Sequence, residues 1–123
     1  NSGNDTRLPI SAAAITCLYS AGEYESPLAE ECMEYVYGQF KSRKNGFRSG
    51  HYFYLNLYAS QAFYQAGDEY WNAYFLGQRD SLIKTQSKKD GSWNGDGVGP
   101  VFGTSVALIV MQLPYKYLPI YQR

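Results

Sequence analysis

The single histidine, His51, and the two cysteines, Cys17 and Cys32, are the side chains best suited to nucleophilic, acid–base or metal chemistry. A zinc site takes four ligands, usually in locally spaced pairs, and three scattered residues do not supply them. No metal and no cofactor is therefore expected. His51 has no nucleophile or orienting carboxylate at a recognisable spacing, so nothing marks it as a general base. Asp90 and Asp96 flank Trp93 in a Gly-rich stretch, where turn formation explains them better than catalysis or ion binding. The run from Gly91 to Gly103 lacks the Gly-Lys-Ser/Thr ending of a phosphate loop. Arg79 and Asp80 are neighbours on a predicted helix and read as surface charges. No set of residues spells out a reaction, and catalytic residues remain unassigned.

Composition narrows the partners. The chain has 123 residues, enough for one domain with its own core. Its 11 basic and 11 acidic side chains balance, which argues against a nucleic-acid protein, because phosphate binding needs a basic face. The basic cluster Lys41, Arg43, Lys44 and Arg48 follows a predicted helix whose acids, Glu30, Glu31 and Glu34, lie nearer its start. That polarity suits the helix dipole. No apolar run is long enough to span a bilayer, so a soluble protein is expected; no signal peptide is visible, which leaves the compartment open. The 13 tyrosines among 21 aromatics imply either a core with wet edges or the wall of a cavity.

Five helices are predicted. Pro9 is placed in the first turn of a helix over 10–21, after a frayed start, with Ala14, Cys17, Leu18 and Ala21 on one stripe. Ser26-Pro27 opens a second helix reaching Ser42, with Leu28, Cys32, Tyr35, Val36 and Phe40 inward. The third, 51–66, is apolar almost all round and should be central. The fourth runs over 68–86, with Asp68 as cap and Trp71, Tyr74, Phe75, Leu82 and Ile83 inward. A fifth, capped by Thr104 or Ser105, should end at Leu113 before Pro114. The tail PYKYLPIYQR is expected to lie extended. Cys17 and Cys32 fall at one level of a hairpin, but packed helices usually hold their backbones too far apart for a disulfide. Buried free thiols are the expectation, with pairing left open.

Sliding the chain by about 45 residues aligns Ala14 with Ala59, Ala21 with Ala66, Gly22 with Gly67, and Gly46 with Gly91. RKNGFR becomes a shorter copy of the later KKDGSWNGDG, with Phe47 in the place of Trp93. Such periods, with two helices each, mark stacked helical hairpins. The division is repeat one at 9–50, repeat two at 51–98, and a final helix and tail at 99–123. Within the second repeat, Leu82, Gln86, Asp90, Gly91 and Trp93 form a structural motif: Gln near a helix end can satisfy backbone groups, Gly permits the turn, and Trp staples repeats together.

This motif resembles the repeat of the terpenoid cyclase and protein prenyltransferase superfamily. The Gly103-Thr104-Ser105 entry into an Ala-containing helix is similar to that family too. The YLPIYQR ending is similar to C-termini of bacterial proteins with such repeats. The sequence departs from the family pattern in having three residues between Gln86 and Asp90, and Ser81 where an aromatic is usual. The resemblance implies an all-α fold of antiparallel hairpins stacked as part of an α/α toroid, here its C-terminal part. It implies an apolar, isoprenoid-type ligand for the parent protein, with Tyr54, Tyr58 and Phe63 as wall aromatics. The family's Asp-rich cyclase motif, its Asp/Cys/His zinc set and the thioester motif of related toroid proteins are all missing. The chain alone is accordingly expected to be non-catalytic. Its expected partners are a second copy, the rest of a parent chain, or an apolar ligand; a protein-interaction module is the alternative.

Overall fold

The structure is a computed structural model that describes residues 3–43, 47 and 50–117. It is an all-α domain of five short helices packed into a bundle: α1 (Gly3–Ser20), α2 (Pro27–Ser42), α3 (Tyr52–Ala66), α4 (Asp68–Thr85) and α5 (Pro100–Gln112). A 3₁₀ turn, Leu113–Tyr115, follows α5. The third helix is central as expected. It packs against α1, α4 and α5, while α2 lies against α1. The chain thus forms a row, α1–α3–α5, flanked by α2 and α4. Lys44, the Asn45-Gly46 turn, Arg48, Ser49 and the tail beyond Tyr117 lie outside the described residues.

Helix α1 begins earlier than its sequence suggested, and Pro9 sits inside it. The proline forfeits one backbone hydrogen bond. Burial of Leu8 at 3% exposure holds the turn before it in place. The inward face is also rotated. Leu8, Ala12, Ile15, Thr16 and Tyr19 are buried, whereas Cys17 and Ala21 are exposed and Ala14 and Leu18 are half-buried. The small-residue stripe read from the sequence therefore points largely outward. Ile15 and Tyr19 carry more apolar area than Ala14 and Cys17, and they determine which face turns in.

Comparable rotations occur elsewhere. In α2 the buried positions are Ala29, Met33 and Val36, and Leu28 is exposed. In α4 they are Trp71, Tyr74, Gln78 and Leu82. Ile83, one residue from Leu82 and so turned about 100° around the helix, faces solvent. Both cysteines are free thiols, as expected, but Cys17 is exposed and Cys32 only half-buried, so the expected full burial holds at neither.

Helix ends depart from the expected caps. Gly67 alone joins α3 to α4 and takes φ +125°, displacing Asp68 into the first turn. Gly22, just after α1, also has positive φ, a conformation that glycine adopts without steric cost. Helix α5 starts at Pro100, four residues before Thr104. Proline suits this first position because its missing N–H would be unsatisfied there anyway. Pro114 does not extend the chain; it sits in the 3₁₀ turn.

Two clusters form the core. The larger joins α1, α2, α3 and α4 around Phe63, which is fully buried and surrounded by Phe40, Phe47, Tyr70 and Tyr74 at ring separations of 5.2–6.4 Å. The smaller joins α4 to α5: Leu82, Trp93, Val106, Ala107 and Val110, with Phe53 and Leu57 of α3 against it. The aromatic after each hairpin, Phe47 or Trp93, plugs one cluster and is almost fully buried.

Candidate functional site

Buried polar residues tie α3 to its neighbours, which its apolar appearance in sequence concealed. Asn56 is 1% exposed. Its Nδ2 donates to the Tyr52 carbonyl at 2.8 Å, and its Oδ1 accepts the Tyr74 hydroxyl at 2.9 Å. The Thr16 hydroxyl lies 3.0 Å from the Tyr58 carbonyl oxygen, linking α1 to α3. Burial of Tyr74 raises its phenol well above its usual pKa, and the nearby Tyr52 hydroxyl adds to the effect. Below about pH 10 the phenol is neutral in both folded and unfolded chains, so it adds no pH dependence. Above that, the unfolded chain ionises first, and stability falls by about 1.4 kcal/mol per pH unit for this one group. Urea unfolding is expected to show stability falling by about 1.4 kcal/mol in total between pH 9 and 11 on account of this group, a fall that Tyr74→Phe removes.

The Gly-rich segment after α4 is the most constructed part of the molecule. The five motif residues contribute to it through three separate side-chain links. Gln86 Nε2 donates to the Gly91 carbonyl at 2.8 Å. Gly91 has φ +74°, and its N–H donates to the Ser87 carbonyl at 2.9 Å. Asp90 Oδ1 accepts from the Ser92 hydroxyl at 2.7 Å and from the Ser92 N–H at 3.1 Å. The Ser92 hydroxyl, then its N–H, holds the Asp90 carboxyl below its usual pKa. The stability these bonds add is present above the ordinary carboxylate range and is lost as pH falls through the lowered value. Trp93 is 5% exposed and packs with Leu82. Its Nε1 donates to the Leu82 carbonyl at 2.8 Å. Leu82 is in the last turn of α4, where carbonyls have no partner four residues on. The tryptophan therefore caps α4 while filling the α4–α5 cluster.

Thr104 serves the same segment from inside α5, its Oγ1 accepting the Trp93 N–H at 3.1 Å. The expected capping role is thus replaced by a bond to the loop. Gly95 and Gly103 bring loop and helix backbones into direct contact.

Asp96 is the residue whose role sequence reasoning missed. Its Oδ1 accepts the Phe53 N–H and its Oδ2 accepts the Tyr54 N–H, each at 2.9 Å. These are second- and third-position donors of α3, and His51, at the N-cap position, makes no side-chain cap bond. Asp96 therefore caps α3 from 43 residues away in sequence. A carboxylate there also favours the positive helix end. It holds φ +52°, a conformation open to Asp at modest cost. Asp96→Ala is expected to lower stability by about 2 kcal/mol, combining the lost cap with worse backbone strain. Asp96→Asn, which keeps one acceptor oxygen, should lose less. Denaturant midpoints of both variants check the order.

The aromatics expected to line a ligand wall do not converge. Tyr54 is 39% exposed and meets half-buried Tyr58 edge-on at 5.2 Å, whereas Phe63 sits inside the larger core cluster. Among the described residues no group of three or more His, Cys, Asp or Glu side chains is placed to hold a metal. Among them, too, no helix is long and apolar enough to cross a membrane. Comparison with protein-family models, with curated proteins and with solved structures gave no match.

Proposed function

We propose that this chain is a section of a helical-repeat wall, of the α/α-toroid type its motif resembles, and that its role is to present and continue a stack of hairpins. The observation that carries this reading is that both ends of the α1–α3–α5 row expose apolar faces. Helix α1 presents Ile10, 63% exposed, with Cys17 and Ala21 on the same side. Helix α5 presents Val101 and Leu108, 83% and 54% exposed. Solenoid repeats bury such faces against the next repeat, and uncapped ends seek a neighbour. The neighbour is the rest of a parent chain whose C-terminal part this is, or a second copy when the domain is alone. In the parent, the side of α3 carrying Tyr54 and Tyr58 would meet an apolar, isoprenoid-type ligand. The same end faces serve equally in a non-enzymatic interaction module, and a ligand test separates the two.

Native mass spectrometry of the purified chain, with and without farnesol, tests both parts. Oligomers that Ile10→Glu with Leu108→Glu abolish are the expected result. A monomer at every concentration would sink the open-ended stack. A farnesol adduct supports the isoprenoid role, and its absence from the full-length parent would leave the interaction module.

A further inference from the structure

A groove of about 680 Å³ lies between the C-terminal end of α2 and the middle and end of α4. Phe40, Ala73, Tyr74 and Gly77 form its apolar part; Lys41, Arg43 and Lys84 bring positive charge, and Asp80 stands beside them. Asp80 already accepts the adjacent Arg79, a pair in which neither Lys41 nor Lys84 takes part, and the Lys41 ammonium lies 5.2 Å from the centre of the Tyr37 ring, a contact that leaves its charge in place.

Two further observations set this groove apart from ordinary surface. Gln78, which lines it, is only 7% exposed. Its Oε1 accepts the Tyr52 hydroxyl at 2.9 Å, but its buried Nε2 donates to no group. An unused buried donor costs free energy in the folded chain unless something else takes the hydrogen bond. Gly77 sits in the interior of α4, where glycine is a poor helix former. A Cβ there would meet nothing within 4 Å, so no neighbouring group excludes alanine. Glycine at a groove floor lets a ligand approach the helix backbone closely.

We propose that this groove binds an oxyanion attached to an apolar body. The anionic group, carboxylate or phosphate, is drawn by Lys41 and Lys84, and it takes the hydrogen bond of Gln78 Nε2 when that buried amide turns toward the groove. The apolar body lies along Gly77, Phe40 and Tyr74. Charge-assisted bonds to a partly desolvated anion are stronger than neutral ones, and the aromatic floor adds contact area. The site is on the α2–α4 side and stands whether or not the ends of the helix row are covered.

The test is a titration of the whole chain with benzoate and with phenyl phosphate, followed by the NMR signals of the Gln78 side-chain amide. A saturable shift of those signals is expected, and the better of the two probes identifies the anionic group. Gly77→Ala is expected to raise the melting temperature yet weaken binding about tenfold, as a methyl group enters the groove. Gly38→Ala, an equally unopposed helix glycine outside the groove lining, should raise the melting temperature without changing binding. Lys84→Ala should weaken both probes. The proposal is overturned if neither probe gives a saturable shift up to about 20 mM, a range that captures even weak millimolar binding. It is equally overturned if Gly77→Ala and Lys84→Ala bind like the parent chain.

Discussion

Trp93→Ala is expected to destabilise the domain by about 3–5 kcal/mol. Two losses coincide. The first is volume: Trp93 fills the space between Leu82, Val106, Ala107 and Val110, and four further side chains, Phe53, Leu57, Phe102 and Met111, close around the cluster. The second is the hydrogen bond from Nε1 to the Leu82 carbonyl at 2.8 Å, the shorter of the two side-chain bonds that this carbonyl accepts near the end of α4. Trp93→Phe separates them, retaining much of the volume and removing the donor. It should cost about 1 kcal/mol, the typical net worth of one hydrogen bond, because the Thr85 hydroxyl still lies 3.3 Å from the Leu82 carbonyl. Denaturant unfolding followed by circular dichroism measures both. If Trp93→Phe costs as much as Trp93→Ala, the packing account is wrong and the hydrogen bond dominates.

The second large effect is expected at Gly103. Helix propensity alone favours alanine there by about 1 kcal/mol. Steric contact reverses the sign. A Cβ on Gly103 would overlap the Trp93 carbonyl oxygen and the Gly95 nitrogen, and would lie 2.7 Å from the Trp93 carbonyl carbon. These are backbone atoms and cannot rotate aside as a side chain would. Overpacking of this kind typically costs about 1–3 kcal/mol, and here the upper end is expected because the loop itself must lift. Lifting the loop also withdraws Asp96 from α3. Gly103→Ala and Asp96→Ala should therefore combine to less than the sum of their separate effects, as coupled sites do. Thermal unfolding of the two single variants and the double variant gives the coupling directly, and strict additivity would refute the shared displacement.

The sequence was most legible where one residue type has few uses. Gly22 and Gly67 marked the ends of two helices because positive φ is rarely adopted by other residues. Ser26-Pro27 marked the start of α2 to the residue. The motif from Leu82 to Trp93 was read as a staple; in the structure Trp93 bonds Leu82 and Gln86 bonds Gly91, while Asp90 turns to Ser92. Legibility ended where two faces of a helix were comparably apolar. In α1 the stripe through Ala14 and Cys17 competes with the stripe through Ile15 and Tyr19, and only packing against α2 and α3 decides between them. Asp96 was unreadable for a different reason. A cap is recognised in sequence because it stands just before its helix, and this one comes from a loop that folding brings to α3 from the far side of α4. Gln78 resembled any outward polar residue of α4 until Tyr52 was seen to hold it inward.

The Asp96 clasp gives the domain a particular way of opening. The first turn of α3 is fastened by a segment that is itself fastened to α5, through the Thr104 bond to Trp93 and the Gly95–Gly103 contact. Fraying at the start of α3 is then not a private event of that helix. The Phe53 and Tyr54 amides should exchange with solvent deuterium only when the loop departs, at rates that follow those of the Trp93 amide. The central helix and the last helix accordingly belong to one cooperative unit, although the connection between them passes outside both.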